Sequence, residues 1–235
     1  MPTDCTLEDN QSDRLLHPLP GENTRIFLFN QYVLLTKKFS AALDQLYTTT
    51  RRRGGVEKIT RLERDLRVWN HTFNAMPHAM PFEIGETPPR ASEDDKNKGQ
   101  SFMNHWLQLL ANIVMVQIHR PALTFDMESP EFAQSLKVCL KSSTAVINLL
   151  QDNPFGWSLR RICPSGPAVV FQSALMHVYS QCSPAIPAAA GSPGRTAHMS
   201  TISTAVQLMN GYVSHPMSHQ PGSTDFRHRS IAETK

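Results

Sequence analysis

The sequence has few cysteines, no long apolar run and no secretion signal. Its four cysteines form no Cys-x-x-Cys pair in 235 residues, and closely spaced thiolates are how a chain builds a structural zinc site. This spacing excludes a zinc finger. No apolar stretch approaches the roughly 18 residues that a bilayer-spanning helix needs, and residues 1–11 lack the basic and apolar segments of a signal peptide. We therefore expect an intracellular protein that does not enter a membrane.

Motifs that carry catalysis are missing as well. There is no glycine-rich phosphate loop, Gly-x-Ser-x-Gly elbow or His-Glu-x-x-His. The three acidic residues at 93–95 follow one another directly in the sequence. An enzyme that binds a diphosphate through magnesium needs carboxylates one turn apart on a helix. His215, His219 and His228 lie in a polar tail without a carboxylate or thiolate spacing that would complete a metal site. We predict no catalytic residue, no metal ligand and no cofactor.

The charge balance argues against nucleic-acid binding by this chain. Charged residues make up 18% of it, and the net charge is +3, without the clustered excess typical of such modules. Lys37, Lys38 and the arginines at 51–53 could contact phosphates. Three arginines at the end of a helix are more often solvated residues that complement the helix dipole. We therefore predict no specific DNA binding by the chain alone.

Apolar residues recur at spacings of three and four along most of the chain, and no strand pattern competes. The clearest stripe runs from Val56 to a stop at Met76-Pro77, with charges that include Glu63 assigned to the opposite face. The predicted fold is all-α, an irregular bundle of about six helices with two long loops. The predicted helices cover about 24–49, 56–76, 101–119, 130–152, 167–181 and 197–213; the long loops are 77–99, expected to be mobile, and 183–196, and a shorter loop is 155–166.

Several positions have clear structural interpretations. Ser129 followed by Pro130 is a helix start signal. The third helix is almost uncharged and should lie at the centre of the core. Trp69 and Trp106 are predicted core anchors. The thiols of Cys139, Cys163 and Cys182 lie in or beside apolar segments and are predicted to be buried.

An ordered series of motifs resembles the middle homology region of fungal binuclear zinc-cluster (Zn₂Cys₆) transcription factors. A leucine-rich helix with a tryptophan ends on a proline step, an apolar helix runs into His-Arg-Pro, and a helix with a cysteine among small residues follows. The similarity covers about residues 25 to 182. The matching residues are Leu62, Leu66, Trp69, Pro77, Trp106, His119, Arg120, Pro121 and Cys139. The family's six-cysteine DNA-binding module has no counterpart here, so the resemblance implies a fragment, a truncated product or a member that kept only the regulatory region.

The His-Arg-Pro step also has a purely structural explanation. A cation such as Arg120 is favoured at a helix C-terminus, and Pro121 ends the helix because it cannot continue the hydrogen-bond ladder. His119 is predicted to satisfy local carbonyls. None of the three has a catalytic role in this interpretation.

The resemblance implies a nuclear transcriptional regulator of metabolic or biosynthetic genes. It divides the chain into a polar segment (1–23), a helical regulatory domain (24–213) and a flexible tail (214–235). Such a domain would bind the transcription machinery, a second copy of itself, or a small molecule between the third, fourth and fifth helices. The residues predicted to line that effector pocket are Met103, Leu110, Val114, Leu136, Phe171 and Leu175. Two other classes stay open: a small helical enzyme of secondary metabolism that uses residues 93–95, and a plain helical scaffold.

Overall fold

The structure is a computed structural model that describes residues 25–48, 55–76, 80–86, 98–151, 155–163, 165–182 and 193–214. Within these ranges it contains seven α-helices, one short 3₁₀ helix and no strand. The predicted all-α class is confirmed. The helices are α1 (Arg25–Tyr47), α2 (Gly55–Asn74), α3 (Lys98–His119), α4 (Pro130–Gln151), α5 (Gly156–Ile162), α6 (Gly166–Cys182) and α7 (Pro193–Ser214), with the 3₁₀ helix at Arg120–Thr124.

Helix α3 lies at the centre of the molecule, as its lack of charge predicts. It packs against α1 and α2 on one side and against α4 on the other. Leu107 and Met115 belong to a first apolar cluster, between α1, α2 and α3. Trp106 and Leu109 belong to a second cluster, which α3 shares with α4, α5, α6 and α7. The two clusters therefore have α3 as a common wall.

The stripe of α2 packs inside the molecule. Ile59, Leu62, Leu66, Trp69 and Phe73 are all buried in the first cluster. The predicted role of Trp69 as a core anchor is confirmed, and Trp106 in the second cluster is buried as well.

Helix α4 starts as its sequence predicts. The backbone amide of Phe132 donates a hydrogen bond to Ser129 Oγ at 3.2 Å, and Pro130 occupies the first helical position. Proline suits this position because its missing N–H has no intrahelical partner there. Helix α7 also starts with a proline, at Pro193 rather than at the predicted residue 197.

Helix α5 occupies a segment that was predicted to be a loop. Its seven residues are too few to show a periodic pattern, yet Leu159 is fully buried in the second cluster. A Cβ atom at Gly156 would lie 2.7 Å from the carbonyl oxygen of Leu150. Glycine therefore allows α5 to begin directly against the end of α4.

Residues 80–86, here called the strap, are ordered against α2 and α3. The Nδ2 atoms of Asn70 and Asn74 donate hydrogen bonds to the carbonyl oxygen of Phe82 at 3.0 and 2.9 Å. The amide of Gly85 donates to Asn112 Oδ1 at 2.8 Å, and Ile84 is buried beside Phe82 in the first cluster. The prediction of a mobile loop is wrong for the strap, because amide side chains satisfy its backbone.

Several predictions fall outside the described residues. They concern Pro77, the acidic cluster 93–95, the arginines at 51–53, the loop at 183–192, and the terminal segments 1–23 and 215–235 with their three histidines. Of the helices that are described, none is both long enough and apolar enough to cross a membrane.

Candidate functional site

The His-Arg-Pro step ends α3 and turns the chain into the 3₁₀ helix. His119 is the last residue of α3 and is buried, while Arg120 is exposed. Pro121 lies in the first turn of the 3₁₀ helix, where proline stops the α-helical ladder as predicted. The step therefore presents one polar side chain to the interior and the next one to the surface.

The buried His119 joins three helices. Its Nε2 atom lies 3.3 Å from Oε2 of Glu63 on α2, and its Nδ1 atom lies 3.2 Å from Oγ of Ser135 on α4. The Nε2 contact lies within ion-pair distance, although its geometry is not that of a well-aligned hydrogen bond. The prediction that His119 satisfies local carbonyls is wrong, because its ring reaches side chains of two other helices.

Each carboxylate oxygen of Glu63 lies close to a basic side chain, Oε1 to Arg67 and Oε2 to His119. Nε of Arg67 donates a hydrogen bond to Oε1 of Glu63 at 2.8 Å. Nη2 of Arg67 lies 2.8 Å from the same oxygen. The contact with His119 is the main cause that lowers the pKa of Glu63 to about 2; burial opposes it and Arg67 adds to the lowering. The charge pattern of α2 predicts Glu63 on the solvent face, whereas its side chain is only 21% exposed. Its position, four residues after Ile59 and three before Leu66, was the available signal.

The cluster Glu63–His119–Ser135 contains the same residue types, in the same order of contacts, as the catalytic triad of a hydrolase. A triad needs a nucleophile that faces the substrate and donors that stabilise the oxyanion. Ser135 is only 4% exposed, and it does not line the pocket next to the step. The cluster Glu63–His119–Ser135 therefore fixes the junction of α2, α3 and α4 and offers no reachable nucleophile.

Arg120, on the outer side of the step, borders an open apolar pocket of about 410 Å³. One wall is the 3₁₀ helix that follows the step, and the other wall is the outer face of α6. The hydroxyl of Tyr179 donates to the carbonyl oxygen of Leu123 at 3.3 Å and joins the two walls. The lining residues are Arg120, Leu123 and Thr124 from the 3₁₀ helix, and Leu175, Met176, Val178, Tyr179 and Cys182 from α6.

Helix α6 is apolar on two faces. Val170 and Ala174 are buried in the second cluster. Further around the helix, Phe171, Leu175 and Val178 are 54%, 42% and 43% exposed, at the spacing of four and three that places them on one face. Large apolar side chains aligned in this way form a candidate binding surface.

The three described thiols differ in their environment. Cys139 and Cys163 are buried as predicted, and burial raises the pKa of their thiols to about 12 and about 11. Cys182 is exposed and lines the pocket, so the prediction of a buried thiol is wrong there. Its place at the end of α6, on the outer face, is the reason.

The six residues predicted to line an effector pocket do not meet in one cavity. Leu110 and Val114 lie in the first cluster, because the central α3 turns them toward α1 and α2. Leu136 lies in a small third cluster with Phe132 and Cys139. The other three are placed as follows: Met103 packs against the first and second clusters, Phe171 is exposed on the outer face of α6, and Leu175 lines the pocket.

A second polar junction joins α4, α6 and α7. Nδ1 of His177 lies 2.9 Å from Nδ1 of His198, and its Nε2 lies 3.3 Å from Oγ1 of Thr144. Burial, with a smaller contribution from the charge of His198, lowers the pKa of His177 to about 4. The described residues include no group of three or more His, Cys, Asp or Glu side chains that could hold a metal ion.

Comparison with known proteins gives one informative match. No protein-family model matches the chain, and no solved structure matches it. A stretch of 80 residues, 33% of the chain, is 29% identical to a protein of Fusarium proliferatum (strain ET1) named Probable transcription factor FUP6. This stretch relates the chain to a fungal transcription factor. The match covers 11% of the length of that relative.

Proposed function

We propose that this chain is the regulatory region of a transcriptional regulator of the fungal zinc-cluster type. The observation that carries the proposal is the match to a Fusarium protein named as a probable transcription factor. The ordered motif series from Leu62 to Cys139 supports the same assignment. The region acts through the pocket beside Arg120, by binding a small molecule or a protein partner.

The geometry suggests how such a region would respond. The pocket wall at Arg120–Thr124 follows directly from α3, and α3 is fixed to α2 and α4 through His119. The other wall is α6, which is joined to α7 through His177. An occupant that binds better to one arrangement of these two walls would shift the population toward it, by as much as its affinity differs between the arrangements.

The finer parts of the proposal come from the resemblance. They are a nuclear location, control of metabolic or biosynthetic genes, and contacts with the transcription machinery or with a second copy. The chain by itself does not bind DNA specifically and does not act as an enzyme. The lack of Cys-x-x-Cys pairs supports the first of these two statements, and the burial of Ser135 supports the second.

A reporter assay tests the proposal. The full chain is fused to an unrelated DNA-binding domain in a fungal host, and expression from that domain's operator is measured against the domain alone. We expect the chain to change expression, and Val178→Asp in the pocket to reduce the change, because a charge in the apolar wall repels any apolar occupant. Val68→Asp is the matched control, since Val68 is 59% exposed on α2. No change in expression, or equal effects of both substitutions, contradicts the proposal.

A hydrolase, which differs from the enzyme alternative based on residues 93–95, has one observation in its favour: the residue types of the cluster Glu63–His119–Ser135. It predicts turnover of an activated ester by the purified chain, with loss of turnover in Ser135→Ala. Our proposal predicts no turnover in either protein.

A further inference from the structure

We propose that the pocket between the 3₁₀ helix and α6 binds a small amphipathic carboxylate. The carboxylate would lie on the guanidinium of Arg120, and the hydrocarbon chain would lie along the outer face of α6. This inference names the ligand class of the site in the proposed function, and its regulatory meaning rests on that function. Binding itself is measured on the purified chain and does not depend on it.

Besides the weakly donating thiol of Cys182, the polar side chains of the pocket leave one strong donor group available, the guanidinium of Arg120. The hydroxyl of Thr124 donates to the carbonyl oxygen of Pro121 at 2.8 Å, and the hydroxyl of Tyr179 donates to that of Leu123 at 3.3 Å. Each hydroxyl has only one hydrogen to donate, so both are committed. The guanidinium of Arg120 keeps several N–H donors and has no acceptor atom. It therefore selects a ligand that accepts hydrogen bonds.

The charges around the pocket favour an anion. Among the residues that the structure describes, Arg120 takes part in no ion pair, whereas Glu63 pairs with Arg67 and contacts His119. The described lining residues include no aspartate or glutamate. An ammonium ligand would find no counter-ion there, while a carboxylate can form two parallel hydrogen bonds with a guanidinium.

The rest of the lining favours a hydrocarbon chain. Leu123, Leu175, Met176 and Val178 contribute aliphatic and thioether surface, and part of it stays exposed to water. Covering this surface is favourable in proportion to its area. A volume of about 410 Å³ lies in the range of roughly 300–1,000 Å³ that is usual for small-molecule sites. The open shape, continued toward Phe171, suits a linear chain.

A second copy of the chain is a less suitable occupant. The residues of α6 from Gly166 to Cys182 include no Asp, Glu, Lys or Arg. If the outer faces of α6 from two copies met, neither copy's α6 would offer a carboxylate to the other's Arg120. The charge of this arginine therefore favours a ligand that carries its own anion.

Calorimetric titration of the full chain with octanoate, decanoate and dodecanoate tests the ligand class. We expect each added methylene to tighten binding by about fourfold, which corresponds to its transfer free energy. Dodecylamine and dodecanol, which have the same chain length as dodecanoate, should bind more weakly. Equal binding of dodecanoate and dodecylamine would overturn the inference.

Two pairs of variants localise the binding. Arg120→Gln should weaken the binding of dodecanoate by about tenfold, as expected for loss of a charged hydrogen-bond donor. It should leave the affinity for dodecanol unchanged. Arg161→Gln, at an exposed arginine of α5, is its control and should leave both ligands unchanged. Val178→Asp should abolish binding of the carboxylates, and Val68→Asp should not. Equal effects within either pair overturn the inference.

Cys182 provides an independent readout at the pocket. Dodecanoate should slow its reaction with a thiol reagent, followed by mass spectrometry of the peptide that contains it, and Arg120→Gln should remove this protection. Unchanged labelling at a saturating concentration of dodecanoate contradicts the proposed position of the ligand. Labelling in denaturant confirms that the thiol itself is reactive.

The oligomeric state of the chain distinguishes a carboxylate ligand from a second copy of the chain as the occupant of this face. If the chain sediments as a dimer that Val178→Asp dissociates, and no carboxylate binds, the face is an interface between copies and the inference is overturned. If carboxylates bind but the reporter fusion has no effect on expression, the proposed function fails and the binding inference stands. If the reporter responds but no carboxylate binds, only the inference fails.

Discussion

At position 119, one side chain connects helices that are distant in the sequence. His119 contacts Glu63 and Ser135, and both partners approach from other helices. The apolar spacing along α2 and α3 predicts which residues are buried, because burial follows from position on a single helix. The partner of a buried polar group depends on how helices cross, and one sequence does not contain that information. The sequence therefore predicted the step and its proline stop but not the partners of its histidine.

Substitution Glu63→Gln tests the junction at residue scale. The pKa of Glu63 is about 2 in the folded chain, below the ordinary value of about 4.3, so between these values the unfolded chain binds more protons. The stabilisation is therefore present above about pH 4.3 and is lost as the pH falls toward 2. We expect Glu63→Gln to lower the free energy of unfolding at neutral pH by about 1–3 kcal/mol and to flatten its dependence on pH in this acid range.

Urea unfolding at several pH values measures this effect. Asp65→Asn is the control, since Asp65 is an exposed carboxylate on the same helix, and it should keep the wild-type dependence on pH. An unchanged slope in Glu63→Gln would show that the contact with His119 does not stabilise the fold.

At the scale of the elements, length decides how well the sequence predicts the fold. Helices α2, α3 and α4 have 20, 22 and 22 residues, which is enough to show both a periodic face and a start or stop signal. Helix α5 has seven residues and shows neither. The outer face of α6 was missed for a different reason: a helix without Asp, Glu, Lys or Arg is expected to be buried, and only the arrangement of neighbouring helices leaves one side open.

The contact of α6 with α7 should weaken in mild acid. The pKa of His177 is about 4 in the folded chain, against an ordinary value of 6.5. Between these values the unfolded chain binds more protons than the folded chain. The stabilisation by neutral His177 is therefore fully present above about pH 6.5 and decreases as the pH falls to about 4. The loss approaches about 1.4 kcal/mol per pH unit. We expect His177→Gln to remove most of this dependence.

The measurement is the free energy of unfolding between about pH 5.5 and pH 7, which lies at least one unit above the ordinary pKa of a glutamate, so Glu63 is largely ionised in both states. His71→Gln, at an exposed histidine of α2, should retain the wild-type slope. If His177→Gln retains it as well, then protonation of His177 is not what weakens this contact.

At the scale of the whole molecule, the two large apolar clusters share α3. Residues on its opposite sides, such as Leu107 and Leu109, are both fully buried and belong to different clusters. Loss of α3 would expose both clusters at once. The described part of the chain is therefore expected to unfold as one unit, although the bundle has two cores.

Leu107→Ala tests this coupling. Truncation of a fully buried leucine should lower the free energy of unfolding by about 2–5 kcal/mol, and unfolding should stay a single transition. Tryptophan fluorescence and far-UV circular dichroism should give the same midpoint in urea. Val68→Ala, at an exposed position on α2, should change stability little. Separate midpoints in Leu107→Ala would show that the clusters unfold independently.

The side-chain hydrogen bonds that attach the strap to α2 and α3 come from uncharged amide groups, and this gives them a different response to the solvent. The side chains of Asn70, Asn74 and Asn112 carry no charge and do not titrate, so neither salt nor acid weakens their bonds directly. The contact between Glu63 and His119 depends on charge and is lost as the carboxylate gains its proton. Acid should therefore loosen the junction of α2, α3 and α4 while Phe82 still covers the first cluster. In hydrogen exchange at low pH, the amide of Gly85 should then stay protected after amides near Ser135 have begun to exchange.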